Sequence, residues 1–329
     1  MRLIRGLGRW HALDRAGSFG RAGGAVSTGT VATIGNFDGV HLGHLAMLGR
    51  LRAAADRLGL PAVVTSFEPL PREHFDPAGA PPRLQGLRDR VASLGAAGVD
   101  RLLLLRFDGA LAGLGADEFV RRVLVDALGA RHLVVGDDFR FGRGREGGFE
   151  ELAAAGERAG FAVERAPTVT VELEGEGPVR VSSTRVRERL GAGDLAGATR
   201  LLGRPYRITG RVVHGEKVGR TLGFPTANVA LGRLRPAPRG VFAVRATVAE
   251  TAEVHAGVAN LGARPTVGGL RLLLEVHALD GAPALYGRHL AVDFLARLRE
   301  ERRFDSLDAL RAQIGRDAEA ARAFFAAGA

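Results

Sequence analysis

Apolar and polar positions follow a repeating pattern through the first two-thirds of the chain. Short apolar runs predict β-strands, and segments with apolar residues three or four positions apart predict helices between them. The predicted strands are Val31–Phe37, Ala62–Phe67, Arg101–Phe107 and His132–Val135. The predicted helices are Leu42–Leu58, Leu84–Leu94 and Asp117–Leu128. This alternation predicts an α/β fold with a doubly wound, Rossmann-like parallel sheet, which binds ligands at the carboxyl ends of its strands.

The pattern changes near residue 204, after the segment LLGRPY. The segments YRITGRVVHG, VFAVRATV, LLLEVHAL and RHLAVDF are short, apolar and separated by Gly and Pro. They predict an antiparallel β-barrel or sandwich. Helical spacing returns at the end of the chain, where Asp305 or Ser306 can cap a terminal α-helix. We therefore expect two domains: residues 1–203 with the parallel sheet, and residues 204–329 with an antiparallel β-barrel and the terminal helix.

Composition excludes several kinds of site. The 329 residues are 46% hydrophobic, which is typical of a globular chain. Cysteine is absent, which excludes disulfides, thiolate metal sites and a cysteine nucleophile. No apolar run has the length of a membrane span, and the opening MRLIRGLGRWHALDR lacks the apolar centre of a secretory signal, although its arginines leave a transit peptide open. We expect a cytoplasmic protein with no membrane partner.

The net charge of +10 raises the alternative of a basic nucleic-acid binding protein. Arginine carries almost all of the positive charge, because Lys217 is the single lysine of the chain. The arginines are spread along the chain and interleaved with acidic residues, a pattern typical of a GC-rich coding bias rather than of a polyanion site. We therefore expect no nucleic-acid partner, and a chain well suited to small anionic substrates.

The segment GNFDGVHLGH lies where the first predicted strand ends and the first predicted helix begins. A helix start offers unpaired backbone N–H groups that attract phosphate. His41 and His44 lie about one turn apart there, so both imidazoles can face one anion, and glycines such as Gly35 let a ligand approach the backbone. The pattern favours a phosphate site in which the imidazoles stabilise the charge of a phosphoryl transfer. The alternatives are a structural pair or a metal-binding pair.

A second turn-to-helix junction follows in the segment VRVSSTRVRERL. Ser183 and Thr184 offer hydroxyl donors, and Arg180 and Arg185 offer forked guanidinium donors suited to phosphate. Alone, such a segment is usually only a helix cap. Downstream of H-x-G-H it predicts a second group of phosphate ligands.

The later segment HGEKVGRTLGFPTANV predicts another phosphate site. Gly215 and Gly219 flank Lys217, and a pliable glycine loop can wrap its amides around a polyphosphate, although Walker spacing is missing. Thr226 and Asn228 are two positions apart, so in an extended segment both oxygens face the same side and suit Mg²⁺. The alternative for the glycine loop is an ordinary surface hairpin.

Strand alternation in LLLEVHAL places Glu275 and His277 on one face, and Leu274 and Val276 on the other. A glutamate in a strand is commonly just solvated. Beside apolar neighbours and near a barrel mouth, Glu275 is instead a candidate general base for a hydroxyl substrate.

The segment GNFDGVHLGH resembles the H-x-G-H nucleotidyltransferases, in particular the bifunctional bacterial riboflavin kinase/FAD synthetases. The segments SFEPLPREHF, VVGDDFRFGRGREG and VRVSSTRVRERLGAGDLAGATRLLGRPY fit that family in the same order. The later segments GEKVGRTLGFPTAN, RGVFAV, GVANLGARPT, LEVHALD and LYG resemble riboflavin kinases. The resemblance covers nearly the whole chain, with two departures: Leu70 stands where many relatives have a histidine, and the N-terminal lead is longer than usual.

The resemblance implies an FMN adenylyltransferase domain over residues 1–203 and a riboflavin kinase domain over residues 204–329. The kinase reaction makes FMN from riboflavin and Mg-ATP, and a second ATP then adenylylates FMN to FAD with release of pyrophosphate. Glu275 is the implied base, Thr226 and Asn228 the implied metal ligands, and His41, His44, Arg180, Ser183 and Thr184 the groups that stabilise the pyrophosphate. The implied substrate-binding residues are Gly35, Asn36, Phe37, Asp38, Phe67, Pro69, Asp138, Phe139, Arg185, Gly215, Lys217, Gly219 and Pro225.

The expected partners are therefore riboflavin, FMN and ATP, with Mg²⁺ as the cofactor, and a monomer or weak homo-oligomer. One alternative is a flavin- or nucleotide-binding regulatory module that has lost catalysis. A narrower alternative keeps the first domain and changes its acceptor to another phosphate ester.

Overall fold

The computed structural model describes residues 1–15, 29–215, 223–266, 269–281 and 283–328. The chain divides into two compact units, and each is described here by itself. The first unit comprises Met1–Pro81 and Arg90–Thr170, and the second comprises Pro82–Asp89 and Val171–Ala329.

A six-stranded sheet forms the centre of the first unit, with strand order β1-β4-β3-β2-β5-β6. Every neighbouring pair in it is parallel. The strands are β1 (Arg2–Arg5), β2 (Thr30–Ile34), β3 (Ala62–Phe67), β4 (Arg101–Leu105), β5 (Ala130–Val135) and β6 (Ala162–Arg165). The predicted parallel α/β sheet is confirmed.

Helices cover both faces of this sheet. They are α1 (Leu7–Arg15), α2 (Leu42–Leu58), α3 (Pro71–Phe75), α4 (Leu87–Ala96), α5 (Gly109–Ala112), α6 (Ala116–Phe119), a π-helix (Val120–Ala127), a 3₁₀ turn (Arg143–Arg145) and α7 (Phe149–Ala159). Val31 of β2 packs in one apolar cluster with Leu48 of α2, whereas its neighbour Ala32 packs in the other with Leu124 and Leu152. Because successive side chains of a strand point to opposite faces, this division shows a doubly wound sheet.

The N-terminal lead forms part of the first unit, which the sequence analysis did not predict. Strand β1 pairs with β4 at the edge of the sheet. In α1, the Trp10 side chain is buried and donates from Nε1 to the carbonyl of Ala127 at 2.6 Å. Because β1 pairs with β4 and Trp10 of α1 is buried, these two elements are part of the packed α/β unit.

A closed antiparallel barrel forms the centre of the second unit, with strand order β10-β13-β12-β11-β14-β9. Its strands are β9 (Tyr206–Val213), β10 (Ala227–Val229), β11 (Gly240–Val248), β12 (Val254–Thr266), β13 (Gly269–Ala278) and β14 (His289–Arg299). The barrel is preceded by the hairpin β7 (Thr170–Leu173) and β8 (Gly177–Arg180), then by α8 (Ser183–Ala192) and α9 (Leu195–Leu202), and is followed by α10 (Leu307–Ala326). The structure thus selects the barrel over the sandwich.

The terminal helix α10 begins at the predicted cap, because Ser306 Oγ accepts a hydrogen bond from the backbone N–H of Ala309 at 3.1 Å. Ala321 of α10 packs with Val241 and Val258 on the outside of the barrel. Among the described residues, no helix is both long enough and apolar enough to cross a bilayer.

Residues 171–203 belong to the second compact unit, although the sequence analysis assigns them to the first domain. A compact unit and an enzymatic activity need not share a boundary. The functional boundary between residues 203 and 204 stays a prediction.

Candidate active sites

The H-x-G-H loop leaves the carboxyl end of β2, at the centre of the parallel sheet. Asn36 is exposed, whereas the side chains of Phe37, Asp38 and Val40 are buried. Phe37 and Val40 have φ angles of 49° and 40°, in the left-handed region that residues other than glycine seldom adopt. For a β-branched residue such as Val40 this conformation is strained, and such strain persists where surrounding contacts fix it, often at functional sites.

His41 and His44 come together at the start of α2. The two rings are stacked, with centroids 3.7 Å apart and planes 11° apart. His41 is the N-cap residue, and its Nδ1 accepts the backbone N–H of His44 at 3.2 Å. Because Nδ1 accepts, neutral His41 carries its proton on Nε2.

Burial of the His44 ring, and secondly the neighbouring His41, hold the pKa of His44 well below its usual value of 6.5. The Nδ1 atom of His44 is enclosed and has no hydrogen-bond partner among the described residues. His44 is therefore neutral at physiological pH, and the two imidazoles lie at a helix start, where N–H donors favour an anion. Such donors suit an anion whose negative charge grows during a reaction.

Aromatic side chains surround the ends of β3 and β4, beside the predicted flavin residues. Phe67 is buried at the end of β3 and meets Phe107 edge to face at 5.5 Å; Pro69 follows it, partly exposed. The sequence analysis missed Phe107 and Phe75, whose rings are 5.6 Å apart. Phe75 is 69% exposed, which is unusual for so large an apolar ring. The available sequence signal was position, since Phe107 follows the end of β4 and Phe75 ends the segment SFEPLPREHF.

Asp138 and Phe139 follow β5, whose carboxyl end lies at the same sheet edge as that of β2. Asp138 is exposed, and Phe139 stacks on Phe141 with centroids 5.7 Å apart. Their predicted roles beside adenine and flavin are compatible with this edge and stay predictions.

The remaining predicted phosphate ligands lie in the second unit. A cleft of about 570 Å³ is lined by Arg180 at the end of β8 and by Thr184 and Arg185 in the first turn of α8. The capping residue is Ser182, whose Oγ accepts the N–H of Arg185 at 3.3 Å, so Ser183 is the first residue inside the helix. Arg185 also pairs with Glu188 at 3.0 Å. The cleft combines a helix start with two guanidinium groups, an arrangement suited to an anion.

The barrel brings the predicted base and one predicted metal ligand together. Asn228 of β10 is directly opposite Glu275 of β13 in the antiparallel ladder. Side chains at such positions share a face, with Cβ atoms about 4.5–5.5 Å apart. Leu274 and Val276 are buried on the other face, as strand alternation predicted. Asn260 of β12 is opposite Glu275 on its other side, so the carboxylate lies between two amides; this neighbour was missed.

Two contacts hold residues 225–228, the P-T-A-N segment, against β13. The Nδ1–H of His277 donates to the carbonyl of Pro225 at 2.9 Å, and Phe224 meets the His277 ring edge to face at 5.4 Å. On the other side, a Cβ on Gly215 would lie 2.6 Å from Asn228 Cγ, so only glycine fits there without displacing the amide. Thr226, between these contacts, is partly exposed. Lys217 and Gly219 lie outside the described residues.

The donor chemistry of this face fits a magnesium ion carried by a nucleotide. A hydroxyl, an amide oxygen and a carboxylate are hard oxygen ligands, and Mg²⁺ usually completes its shell with phosphate and water. Within the described ranges, no group of three or more His, Asp or Glu side chains forms a metal cage. This face of the barrel therefore suits a Mg²⁺ ion whose ligands come partly from the protein and partly from the phosphates of a nucleotide and from water.

Comparison with known proteins identifies both halves of the chain. A family described as FAD synthetase matches residues 24–185, and one described as riboflavin kinase matches residues 202–325. The bifunctional riboflavin kinase/FMN adenylyltransferase of Pseudomonas fluorescens is 54% identical over 299 residues, covering 91% of this chain and 94% of that protein. The protein of the same name from Escherichia coli K12 is 48% identical over 325 residues, covering 99% and 98%.

A solved structure from Streptococcus pneumoniae, described as a macrolide-efflux protein, has a TM-score of 0.75 and 32% identity, and covers 91% of this chain and 95% of that one. Its description applies to the pneumococcal protein; for this chain the likeness supports the fold over both units. The two family matches and the high identity of the relatives over nearly their full length establish the assignment. This chain belongs to the family of bifunctional riboflavin kinase/FMN adenylyltransferases.

Proposed function

We propose that this chain makes FAD in two ATP-dependent steps at two separate sites. It phosphorylates riboflavin to FMN in the barrel, and it adenylylates FMN to FAD with release of pyrophosphate at the H-x-G-H loop. The two activities rest on the two matching families and on relatives that share both halves of the chain. The residue roles rest on the geometry of the described residues.

In the kinase step, Glu275 accepts the proton of the ribityl 5′-hydroxyl, and that oxygen attacks the γ-phosphorus of ATP, so that ADP leaves. Thr226 and Asn228 hold Mg²⁺, which neutralises phosphate charge when it is bound. Phosphoryl transfer depends mainly on positioning and charge neutralisation. The observation that carries this assignment is the ladder position of Asn228 directly opposite Glu275.

In the adenylyl-transfer step, a phosphate oxygen of FMN attacks the α-phosphorus of ATP, and the bond from that phosphorus to the β-phosphate bridging oxygen breaks. His41 and His44 donate hydrogen bonds to the phosphate charge and are not consumed. Arg180, Ser183, Thr184 and Arg185 remain predicted phosphate ligands. The support for Arg180, Thr184 and Arg185 is that they line one cleft, which combines a helix start with two guanidinium groups.

The direct test is to incubate the chain with riboflavin, ATP and Mg²⁺ and to separate the flavins chromatographically over time. We expect FMN to appear first and FAD to follow. A matched incubation with FMN in place of riboflavin isolates the second step, and one with EDTA tests the need for a divalent ion. The absence of any phosphorylated flavin would reject the function.

Three further assignments are part of this proposal. The protein acts in the cytoplasm, as the absence of cysteine favours. It acts as a monomer or weak homo-oligomer and binds neither nucleic acid nor membrane. Residues 203 and 204 mark the boundary between its activities, which the ends of the two family matches, at 185 and 202, support.

A further inference from the structure

A buried arginine joins the two strand ends that bear the proposed adenylyl-transfer site. Arg90 lies on α4, and its side chain is only 3% exposed. One side of its guanidinium donates from Nη1 to the carbonyl of Asn36 at 3.0 Å and to Ser66 Oγ at 3.4 Å. The other side donates from Nη2 to the carbonyl of Phe67 at 3.2 Å and to Glu68 Oε2 at 3.0 Å.

These bonds begin where the β-ladder ends. The paired positions of β2 and β3 run to Ile34 and Thr65, and Gly35 adds one more backbone bond to Thr65. Beyond it the strands diverge, and the carbonyl of Asn36 is held by Arg90 and by Ser66 Oγ at 3.2 Å. The next residue, Phe37, already has a positive φ. Arg90 therefore fixes the chain immediately before the strained H-x-G-H loop, which is called the phosphate loop below.

Burying a guanidinium is costly unless its charge and its donors are satisfied. A planar fork can bind two carbonyls in fixed relative positions, which the single ammonium of lysine cannot do. The carbonyl of Asn36 begins the phosphate loop. The carbonyl of Phe67 belongs to the segment that holds the predicted flavin residues Phe67 and Pro69.

We infer that Arg90 is a positioning residue for adenylyl transfer: it sets the phosphate loop at the end of β2 relative to the flavin-side segment at the end of β3. The inference rests on the proposed function of the H-x-G-H site. Arg90 acts through the backbone of Asn36 and Phe67, and its loss reduces how often the FMN oxygen and the α-phosphorus reach attacking geometry. Misplacement by about 1 Å can cost about 100-fold in rate.

The test is the single-turnover rate constant of FAD formation from FMN and ATP, with enzyme in excess. When the active enzyme is saturating and in excess over FMN, this constant does not depend on the fraction of active protein. For Arg90→Lys we expect a decrease of at least about tenfold, with smaller changes in the KM values for ATP and FMN. Riboflavin phosphorylation by the same variant should be unchanged.

Arg52→Lys is the matched control. Arg52 also makes several bonds, to Asp56, Asp100 and the carbonyl of Gly98, but Asp100 directly precedes β4 and so marks the amino-end edge of the sheet. Its replacement should leave the rate constant within about twofold, since such partly exposed ion pairs contribute little.

Ser66→Ala is the second variant, in case Arg90→Lys does not fold. It removes the other bond to the Asn36 carbonyl, and we expect a decrease of about two- to fivefold. The inference is overturned if Arg90→Lys keeps the wild-type rate constant, or if Arg90→Lys and Arg52→Lys decrease it equally. If Arg90→Lys does not fold, a wild-type rate constant for Ser66→Ala overturns it. If the wild-type chain itself forms no FAD from FMN, the proposed function fails instead.

Discussion

Single side chains carry the chemistry of this protein, and His44 shows how burial tunes one of them. Burial and the adjacent His41 lower the pKa of His44, so the folded chain keeps its imidazole neutral at a pH where an exposed histidine is protonated. Below about pH 6.5 the unfolded chain therefore binds a proton that the folded chain does not. Stability contributed by this group is present above that pH and is lost as the pH falls.

We predict that His44→Gln weakens this pH dependence. Between about pH 7.5 and about pH 5.5, the thermal midpoint of the wild type should fall further than that of the variant. Replacement of a partly exposed histidine, His11→Gln, provides the control and should behave like the wild type. Identical pH dependences for wild type and His44→Gln would show that His44 titrates normally.

Residue positions could be predicted where a local rule determines them. Alternation along β13 was enough to place Glu275 and His277 on the face opposite Leu274. The capping pattern of S-S-T was recognised, but not which serine caps, because the choice between Ser182 and Ser183 depends on where β8 ends. Arg90 could not be found from sequence, because its four bonds reach residues 22 to 54 positions away.

Strand β10 and the glycine that approaches it show how an element depends on close packing. In Gly215→Ala, the new methyl group would lie 2.6 Å from Asn228 Cγ and would push the amide away from Glu275. We predict a decrease of at least about tenfold in riboflavin phosphorylation, with FMN adenylylation unchanged. In the control Gly315→Ala, the Cβ would meet Phe224 at an ordinary 4.0 Å, so full kinase activity is expected. Equal kinase rates in the two variants would contradict the predicted crowding.

The terminal helix α10 is attached to the barrel by a buried ion pair. Asp317 is 6% exposed and accepts bonds from Arg299 Nε and Nη2 at 2.8–3.1 Å, and from Gln313 at 2.7 Å. Asp317→Asn leaves the Arg299 charge without its partner, and we predict a loss of about 3 kcal/mol in unfolding free energy. Denaturant unfolding measures it, with the exposed Glu319→Gln as control. A loss no larger than that of Glu319→Gln would mean that the pair contributes little.

Elements with strong local signals could be predicted closely. The helix Leu42–Leu58 and the strand Ala62–Phe67 have the predicted bounds, because apolar spacing marks both elements and Gly59 ends the helix in the left-handed conformation. The predicted helix Asp117–Leu128 is divided into α6 and a π-helix, a change in hydrogen bonding that side-chain spacing does not reveal. Strand β1 was missed because it is short and lies at an edge, where pairing with β4 rather than its own sequence determines the strand.

The two proposed reactions belong to separate parts of the chain. The apolar pattern along the chain was sufficient to predict an α/β part followed by an antiparallel barrel or sandwich. The compact units nevertheless divide near residue 170, because the hairpin β7–β8 and helices α8 and α9 belong to the barrel's unit. The pattern of apolar and polar residues did not reveal this division, since α8 and α9 have helical patterns like those of the first unit.

The most direct measurement is the set of flavins formed from riboflavin, ATP and Mg²⁺ by Glu275→Gln, by His44→Ala and by an equimolar mixture of the two. Glu275→Gln should form neither FMN nor FAD, although it should still convert supplied FMN to FAD. His44→Ala should accumulate FMN without FAD. The mixture should produce FAD, because FMN made by one variant can be adenylylated by the other. Loss of both reactions in both variants would contradict the assignment of each step to its own site.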